Sequence, residues 1–285
     1  MSKIPSIVLL TDFGSVDPYA GILKGVISQI APAVPIMDLT HEVPPGNVLR
    51  AAIYLWQSRQ FFPVKTVFLC VVDPGVGTNR RGILLQSKSQ TFIGPDNGIF
   101  SFVMNPEDQV WELTQQEYML PNLSATFHGR DMFAPVAAYA ALGVESNAFG
   151  QRIDQPYILP TPTLISSTNG RLTGEVLYSD RFGNVLTSLG KFVEISGGQY
   201  SVEPWVHFQS EAADSIFYSA DRSILWLPSG EKLRWVYTYD NLERGECGFL
   251  IGSSGLLEIV ANGTSADQIL NLLPHDPIIL GTSGK

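Results

Sequence analysis

The stretch SIVLLTDFGSVDPYAG, residues 6–21, decides the fold. Its apolar run SIVLLTD predicts a short buried strand, and the polar turn after it leads into a segment with helical spacing. That segment extends from Tyr19 to Ala31, and Pro32 ends it. The opening of the chain therefore predicts a strand, a turn and a helix in succession.

The same succession recurs through the first half of the chain. Further strands are predicted at VPIMDLT (34–40) and TVFLCVVD (66–73), a helix at 47–60 with Asn47 as its N-cap, and a helix at 132–142 ended by Gly143. GILLQS and QTFIGPDNG are typical of a hairpin-like pair. Alternating strands and helices predict a mostly parallel sheet flanked by helices.

The composition changes in the second half. A Pro-, Thr- and Ser-rich stretch at 161–170 is typical of a linker, and short alternating segments follow it. The predicted fold is therefore α/β, with an N-terminal α/β domain at 1–160 whose central sheet is mostly parallel. A β-rich domain resembling a small barrel is predicted at 171–285.

Charge and hydropathy restrict the function. The net charge is −9 and the isoelectric point is near 4.9, which is the wrong sign for a general nucleic-acid surface. No apolar run approaches the length of a membrane span, and the first apolar run is too short for a signal peptide. We therefore expect no nucleic-acid partner, no membrane association and a cytoplasmic location.

Three polar motifs stand at expected turns, namely TDFGSVDPYAG at 11–21, VVDPGVGTNRRG at 71–82 and TFHGRDMFAPVAA at 126–138. They place Asp73, Arg80 and His128 where strand ends and loops can meet. A carboxylate, a guanidinium and an imidazole in one cleft suit the activation of water or another small nucleophile. Each motif alone has a plainer interpretation, since Asp-Pro-Gly is a common turn and a histidine before a helix is often structural.

His41 and Glu42 are a weak hint of a metal site. They have no partner at ligand spacing, so we expect a structural role and no metal.

The motifs together are specific. TDFG, VVDPGVGT, GPDNG, FHGRD, DRFGN and GSSGLLEIVAN follow one another in this order over nearly the whole chain. In that combination the chain resembles the S-adenosyl-L-methionine (SAM) hydroxide adenosyltransferases, which are relatives of the SAM-dependent fluorinase and chlorinase. Residues 200–232 depart from the usual pattern of that family and could be an insertion or a reworked barrel segment.

In the N-terminal half, the resemblance implies that Asp73, Arg80 and His128 are catalytic, with Arg81 the less suitable arginine. It implies that Asp12 binds the ribose hydroxyls and that Phe127 is an aromatic wall. Gly129 stands where the halogenating relatives carry a serine that helps hold the halide.

In the C-terminal half, the resemblance implies a second set of substrate contacts. Asp180 and Ser253 would hold the methionine ammonium and carboxylate. Phe182 and Asn184 would stack on and read the adenine. The backbone near Ala261 and Gly263 would complete the adenine contacts.

The implied reaction is hydrolysis of SAM to adenosine and L-methionine, by attack of activated water on ribose C5′ with inversion. SAM is the substrate, and no cofactor is implied. The family also implies a homotrimer with its sites at subunit interfaces. Alternatives are a SAM-dependent halogenase, a non-catalytic SAM or adenosine sensor, and more distantly a nucleoside hydrolase. The last would need clustered acidic residues for calcium, where the first motif has only Asp12 and Asp17.

Overall fold

The computed structural model describes residues 5–167, 170–206 and 218–282. The chain divides into two compact units, Met1–Leu159 and Pro160–Lys285, here named the amino unit and the carboxyl unit. Each is described by itself. No helix in the described part of the chain is long and apolar enough to cross a membrane.

The amino unit alternates strands and helices. Its strands are β1 (Ile7–Thr11), β2 (Ile36–Thr40), β3 (Val67–Val71), β4 (Gly82–Gln86), β5 (Thr91–Pro95), β6 (Gln109–Glu112) and β7 (Arg152–Ile153). Its helices are α1 (Tyr19–Ile30), α2 (Val48–Ser58) and α3 (Ala134–Ala141), with a π-helical turn at Gly129–Phe133 directly before α3.

These strands form one sheet in the order β2-β1-β3-β5-β4-β6-β7. The first four are parallel to one another, and β4, β6 and β7 add antiparallel pairings. The predicted fold class is confirmed. Alternate residues of β1 enter two cores, since Ile7 packs in the cluster that contains α1 and α3, and Val8 in the one that contains α2. Burial on both faces explains the continuous apolar runs.

The β4–β5 hairpin positions the site. β5 is parallel to β3, and β4 is antiparallel to β5 with Gly82 opposite Pro95. The start of β4 therefore lies at the same edge of the sheet as the end of β3. Residues just after β3 and just before β4 can meet there.

The carboxyl unit is almost entirely β-structure. Its strands are β8 (Leu164–Ser166), β9 (Leu172–Ser179), β10 (Val185–Thr187), β11 (Phe192–Ser196), β12 (Gln199–Val202), β13 (Tyr218–Ser219), β14 (Ser223–Trp226), β15 (Lys232–Arg234), β16 (Cys247–Ile251), β17 (Leu257–Ala261) and β18 (Pro277–Thr282). One short helix, α4, spans Ala266–Leu270.

The larger sheet of this unit is nearly closed. Its path is β15-β14-β18-β9-β10-β17-β16, with β8 paired to β9. The two ends approach each other through a bridge between Trp235 and Phe249, where the Val236 N–H donates to the Phe249 carbonyl at 2.8 Å. The result is the expected barrel-like architecture.

Two stretches differ in detail from the sequence expectations. Residues 164–166, inside the stretch with linker composition, form β8 because their backbone groups pair with β9. In the atypical 200–232 stretch, β12 belongs to a separate sheet of the order β11-β12-β13, whereas β14 joins the barrel. Residues 207–217 of that stretch lie outside the described residues.

Candidate active site

Asp73 and Arg80 form a bidentate ion pair at the carboxyl edge of the amino-unit sheet. Arg80 Nε donates to Asp73 Oδ1 at 2.9 Å and to Oδ2 at 3.0 Å, and Nη2 donates to Oδ2 at 2.5 Å. The side chain of Arg80 is only 10% exposed and that of Asp73 only 6%. A planar guanidinium fork fits a carboxylate in this way, so the pair fixes the orientation of both groups.

His128 joins this pair through Arg80, whose Nη2 lies 2.7 Å from His128 Nδ1. Arginine can only donate, so Nδ1 is the acceptor and the remaining proton of the neutral imidazole is on Nε2. Burial and the positive charge of Arg80 hold the pKa of His128 below its ordinary value, against the opposing charges of Asp73 and Asp131. The imidazole is therefore a neutral hydrogen-bond donor at Nε2.

The π-helical turn after His128 packs against Arg80 and is itself fixed by a buried carboxylate. Asp131, which is fully buried, accepts the Ser124 N–H at 2.7 Å and pairs with Arg130 at 2.5 Å. The Arg80 guanidinium lies over the Phe133 ring, 5.2 Å from its centroid. A wide turn of this kind is frequent at functional sites.

A cavity of about 280 Å³ opens beside these groups. Its lining defines the amino-unit pocket, formed by Asp12, Phe13, Gly46, Val71, Asp73, Pro74, Val76, Thr126, Phe127, His128 and Gly129. The fold thus brings together Asp12, Asp73, Phe127, His128 and Gly129, all predicted from sequence, and Arg80 adjoins them through its hydrogen bonds.

Asp12 and the aromatic residues shape the opposite wall. The Gly46 N–H donates to Asp12 Oδ2 at 2.8 Å. Phe13 and Phe127 meet edge to face with ring centroids 5.8 Å apart, and Tyr19 contacts both rings. This wall combines one carboxylate with apolar surface, which suits a sugar bearing hydroxyls.

Gly129 leaves room in the pocket. A Cβ placed there would lie 3.4 Å from Phe13 and 3.5 Å from Phe127 and Val71, which is ordinary van der Waals contact. The backbone therefore tolerates a side chain at this position, and the glycine keeps the cavity larger.

Arg81 points to a different partner from Arg80. Its Nε donates to Asp96 Oδ2 at 2.8 Å, and its Nη2 donates to the Gln155 carbonyl at 2.8 Å. This arginine ties the β4–β5 hairpin to the end of the amino unit.

The carboxyl unit has a pocket of its own, about 550 Å³ in volume. Its lining defines the carboxyl-unit pocket, formed by Phe182, Asn184, Tyr239, Ala261, Gly263, Thr264 and Ser265. Four of these were predicted from sequence, namely Phe182, Asn184, Ala261 and Gly263. Phe182 is 77% exposed, so its ring is open to a planar ligand.

Asn184 links this pocket to Asp180. Its Nδ2 donates to Asp180 Oδ2 at 3.0 Å and to Tyr239 Oη at 3.2 Å. Asp180 Oδ1 in turn accepts the N–H groups of Phe182 and Asn184 at 2.8 and 2.9 Å. Asp180 thus shapes the DRFGN turn that carries Phe182 and Asn184, while Ser253 lies separately in the turn between β16 and β17.

Several residues at these pockets escaped sequence reasoning, among them two aromatic residues and one glycine. Phe13 and Gly46 line the amino-unit pocket, and Tyr239 lines the carboxyl-unit pocket. The aromatic residue after Asp12 was a usable signal for Phe13. Tyr239 gives none, since it begins a three-residue 3-10 helix and lies 55 residues from Asn184.

Within the described ranges, no group of three or more His, Cys, Asp or Glu side chains has the arrangement of a metal site.

Comparison with known proteins finds relatives that match both units of the chain. The sequence profile of the SAM hydroxide adenosyltransferase N-terminal domain matches residues 7–150, and that of the C-terminal domain matches residues 174–279. The (R)-S-adenosyl-L-methionine hydrolase of Salinispora arenicola is 34% identical over 286 residues, covering 98% of each chain. A fluorinase of an Actinoplanes species is 27% identical over 65% of this chain and 72% of its own.

A solved structure agrees. The crystal structure of a conserved protein from Thermotoga maritima superposes with a TM-score of 0.81 at 32% identity, covering 96% of this chain and 99% of that one. The fold and the two sequence profiles define a class of two-domain proteins whose members include SAM hydrolases and fluorinases. The chain belongs to the SAM hydroxide adenosyltransferase family.

Proposed function

We propose that this protein hydrolyses SAM to adenosine and L-methionine by attack of water on ribose C5′. One observation carries the proposal. Arg80 is held between Asp73 and His128 at a small cavity that also contains Asp12. The Salinispora relative is an (R)-S-adenosyl-L-methionine hydrolase, and its 34% identity over nearly the full length supports the proposal.

The chemistry needs a nucleophile more than an acid. The sulfonium of SAM is already a good leaving group, so methionine departs as a neutral thioether without protonation. Water is a weak nucleophile, and holding it in line with the carbon–sulfur bond lowers the barrier. The Nε2–H of His128 is a donor that would orient the water oxygen, and the positive charge of Arg80 beside it would stabilise developing hydroxide.

Asp73 is our proposed proton acceptor. His128 Nδ1 already accepts from Arg80 and Nε2 carries a hydrogen, so the neutral imidazole has no lone pair to offer. The carboxylate of Asp73 accepts the guanidinium fork and keeps further lone pairs. The oxygen of the water forms the new bond to C5′, its proton passes to Asp73, and the bonding pair leaves with sulfur.

The remaining contacts follow the resemblance. Asp12 Oδ2 accepts from Gly46, and among the described residues Oδ1 has no hydrogen-bond partner, which leaves it for ribose hydroxyls. We propose that Phe182 and Asn184 bind adenine, assisted by the backbone at Ala261 and Gly263. Asp180 and Ser253 are the proposed contacts of the methionine ammonium and carboxylate.

We further propose a homotrimer in which the amino unit of one subunit and the carboxyl unit of its neighbour complete one site. Sedimentation equilibrium tests the trimer, and mixing tests the shared site. Arg80→Lys and Asn184→Ala subunits, each expected to have low activity alone, should regain part of the activity when unfolded and refolded together. No gain would refute the shared site. The cytoplasmic location stays a prediction, which cell fractionation tests.

The deciding experiment incubates the purified protein with SAM in halide-free buffer and in buffer with chloride or fluoride. Equal amounts of adenosine and methionine in both, with oxygen-18 from labelled water in the adenosine, establish hydrolysis. Halide-dependent formation of a halogenated nucleoside would favour the halogenase, which Gly129 argues against. Tight binding without turnover would favour a sensor. Arg80→Lys protein prepared in parallel controls for contaminating enzymes.

A further inference from the structure

His41 is a largely buried histidine outside the amino-unit pocket. Its side chain is 10% exposed, and its Nδ1 lies 2.8 Å from the hydroxyl oxygen of Thr11. Thr11 itself is fully buried at the end of β1, one residue before Asp12. The imidazole therefore touches the turn that supplies one wall of the pocket.

Two hydrogen bonds connect His41 to this turn. Thr11 Oγ1 accepts the Phe13 N–H at 3.2 Å, and its own proton has His41 Nδ1 as the acceptor within reach. The Gly14 N–H donates to the His41 carbonyl at 2.8 Å. The attachments fall on either side of Asp12 and Phe13, both of which line the pocket.

The far side of the imidazole faces a carboxylate. Asp38 Oδ1 lies 3.1 Å from His41 Nε2, and Lys24 Nζ lies 2.6 Å from Asp38 Oδ2. Burial raises the pKa of Asp38, but its hydrogen bonds with Lys24 and His41 outweigh this and lower it. Asp38 is thus a carboxylate that lies beside the Nε2 side of the ring and is itself paired with Lys24 of α1.

We infer that His41 is a positioning residue for nucleoside recognition, whose Nδ1, acting through Thr11, holds the Asp12 carboxylate and the Phe13 ring at the pocket. The hydrogen bond from Gly14 ends on the backbone carbonyl of residue 41 and remains in every variant. The inference rests on the proposed function, because it assigns Asp12 to the ribose. His41 itself touches no substrate. It acts through the turn, and its Nδ1 is the atom that matters.

A purely structural role makes a different prediction. Removing a buried histidine that only supports the fold would lower stability and leave substrate preference unchanged. Removing one that places Asp12 weakens the ability to distinguish a ribose from a ribose lacking a hydroxyl. The ratio of kcat/KM for SAM to that for 2′-deoxy-SAM separates the two roles.

The experiment compares His41→Ala and His41→Asn, with Glu42→Gln as the matched control on the exposed neighbouring side chain. In the wild type, losing a hydroxyl that bonds a carboxylate costs on the order of 10-fold in kcat/KM. His41→Ala should bring this ratio close to one. His41→Asn should restore most of it, because an amide oxygen can replace Nδ1 as acceptor. Glu42→Gln should keep the wild-type ratio.

An unchanged ratio in His41→Ala, whatever its melting temperature, overturns the inference. If His41→Ala does not fold, Thr11→Val removes the bond to His41 Nδ1 together with the one from the Phe13 N–H, with little change in volume, and is judged by the same ratio. If the wild type does not convert SAM, the proposed function fails separately. The affinities for adenosine and 2′-deoxyadenosine, measured by calorimetry in the same variants, then decide whether His41 positions Asp12.

Discussion

Arg80 Nη2 lies 2.7 Å from His128 Nδ1, and this one contact fixes which imidazole nitrogen bears the hydrogen. Because the guanidinium cannot accept, the ring must present its lone pair to Arg80 and its N–H elsewhere. The arginine thus links a carboxylate and an imidazole into one unit of fixed polarity. Several properties of the protein depend on that unit.

Replacement of Arg80 by lysine should abolish most turnover. A lysine ammonium cannot bond both Asp73 oxygens and His128 Nδ1 in one plane. We expect kcat to fall about 100-fold with little change in KM, the loss typical for a donor that stabilises developing negative charge. Arg81→Lys, next in sequence and paired with Asp96, should stay within a few-fold of wild type. Equal losses in the two variants would contradict the assignment.

The pH profile should report His128. Its lowered pKa means that the imidazole stays neutral as pH falls through its ordinary value of 6.5 and is protonated only at more acidic pH. Protonation would put an N–H on Nδ1 against the Arg80 donor, so kcat/KM should fall with an apparent pKa below 6.5. His128→Asn should remove this limb, because an amide does not titrate. An acid limb above 6.5 would show that His128 is not held neutral.

Replacement by alanine should affect the melting temperature differently at Gly129 and at Gly77. At Gly129 a Cβ makes ordinary contacts, so the melting temperature of Gly129→Ala should change by no more than about 1 °C while the methyl group lowers kcat/KM. At Gly77 φ is +80° and a Cβ would lie 2.8 Å from the Ala125 carbonyl oxygen. Gly77→Ala should lose about 3 °C or more. Thermal scans of both variants check this, and a large drop for Gly129→Ala would refute the open space inferred there.

Phe182 should matter for binding and not for stability. Its ring is 77% exposed yet lines the carboxyl-unit pocket. Phe182→Ala should keep the wild-type melting temperature and raise KM for SAM about 10-fold, the cost of losing one base–aromatic stack. Leu273→Ala removes another exposed apolar side chain of the same unit, 66% exposed, and should change neither quantity. An unchanged KM in Phe182→Ala would exclude the ring from adenine binding.

The sequence predicts those parts of the site that follow or precede apolar runs. Asp73 and His128 stand in polar motifs at the expected edge of the sheet, so their meeting follows from topology. Spacing from Asp73 favours Arg80 over Arg81 as the arginine of the site, and the geometry separates the two, since Arg80 pairs with Asp73 and Arg81 with Asp96.

What the sequence could not predict depends on contacts distant along the chain or on irregular backbone. Tyr239 reaches Asn184 across 55 residues, and no periodic pattern marks such a pair. The predicted helix starts at 132, but residues 132 and 133 belong to the π-helical turn Gly129–Phe133 and α3 begins at Ala134, which propensities do not reveal. The strand at 164–166 forms because β9 offers it a partner, and composition alone favoured a linker.

Asp73 follows β3 and Arg80 precedes β4, so the two residues lie seven positions apart in the loop that joins these strands. The β4–β5 hairpin brings both ends of this loop to one edge of the sheet. Because both residues of the ion pair lie in this one loop, the pair can be transferred to another protein as a single segment. Grafting residues 72–82 in place of the matching loop of a related protein should reproduce the Asp73–Arg80 ion pair in that protein. His128 lies 48 positions further along the chain than Arg80, so the recipient protein would have to supply a histidine at the matching place.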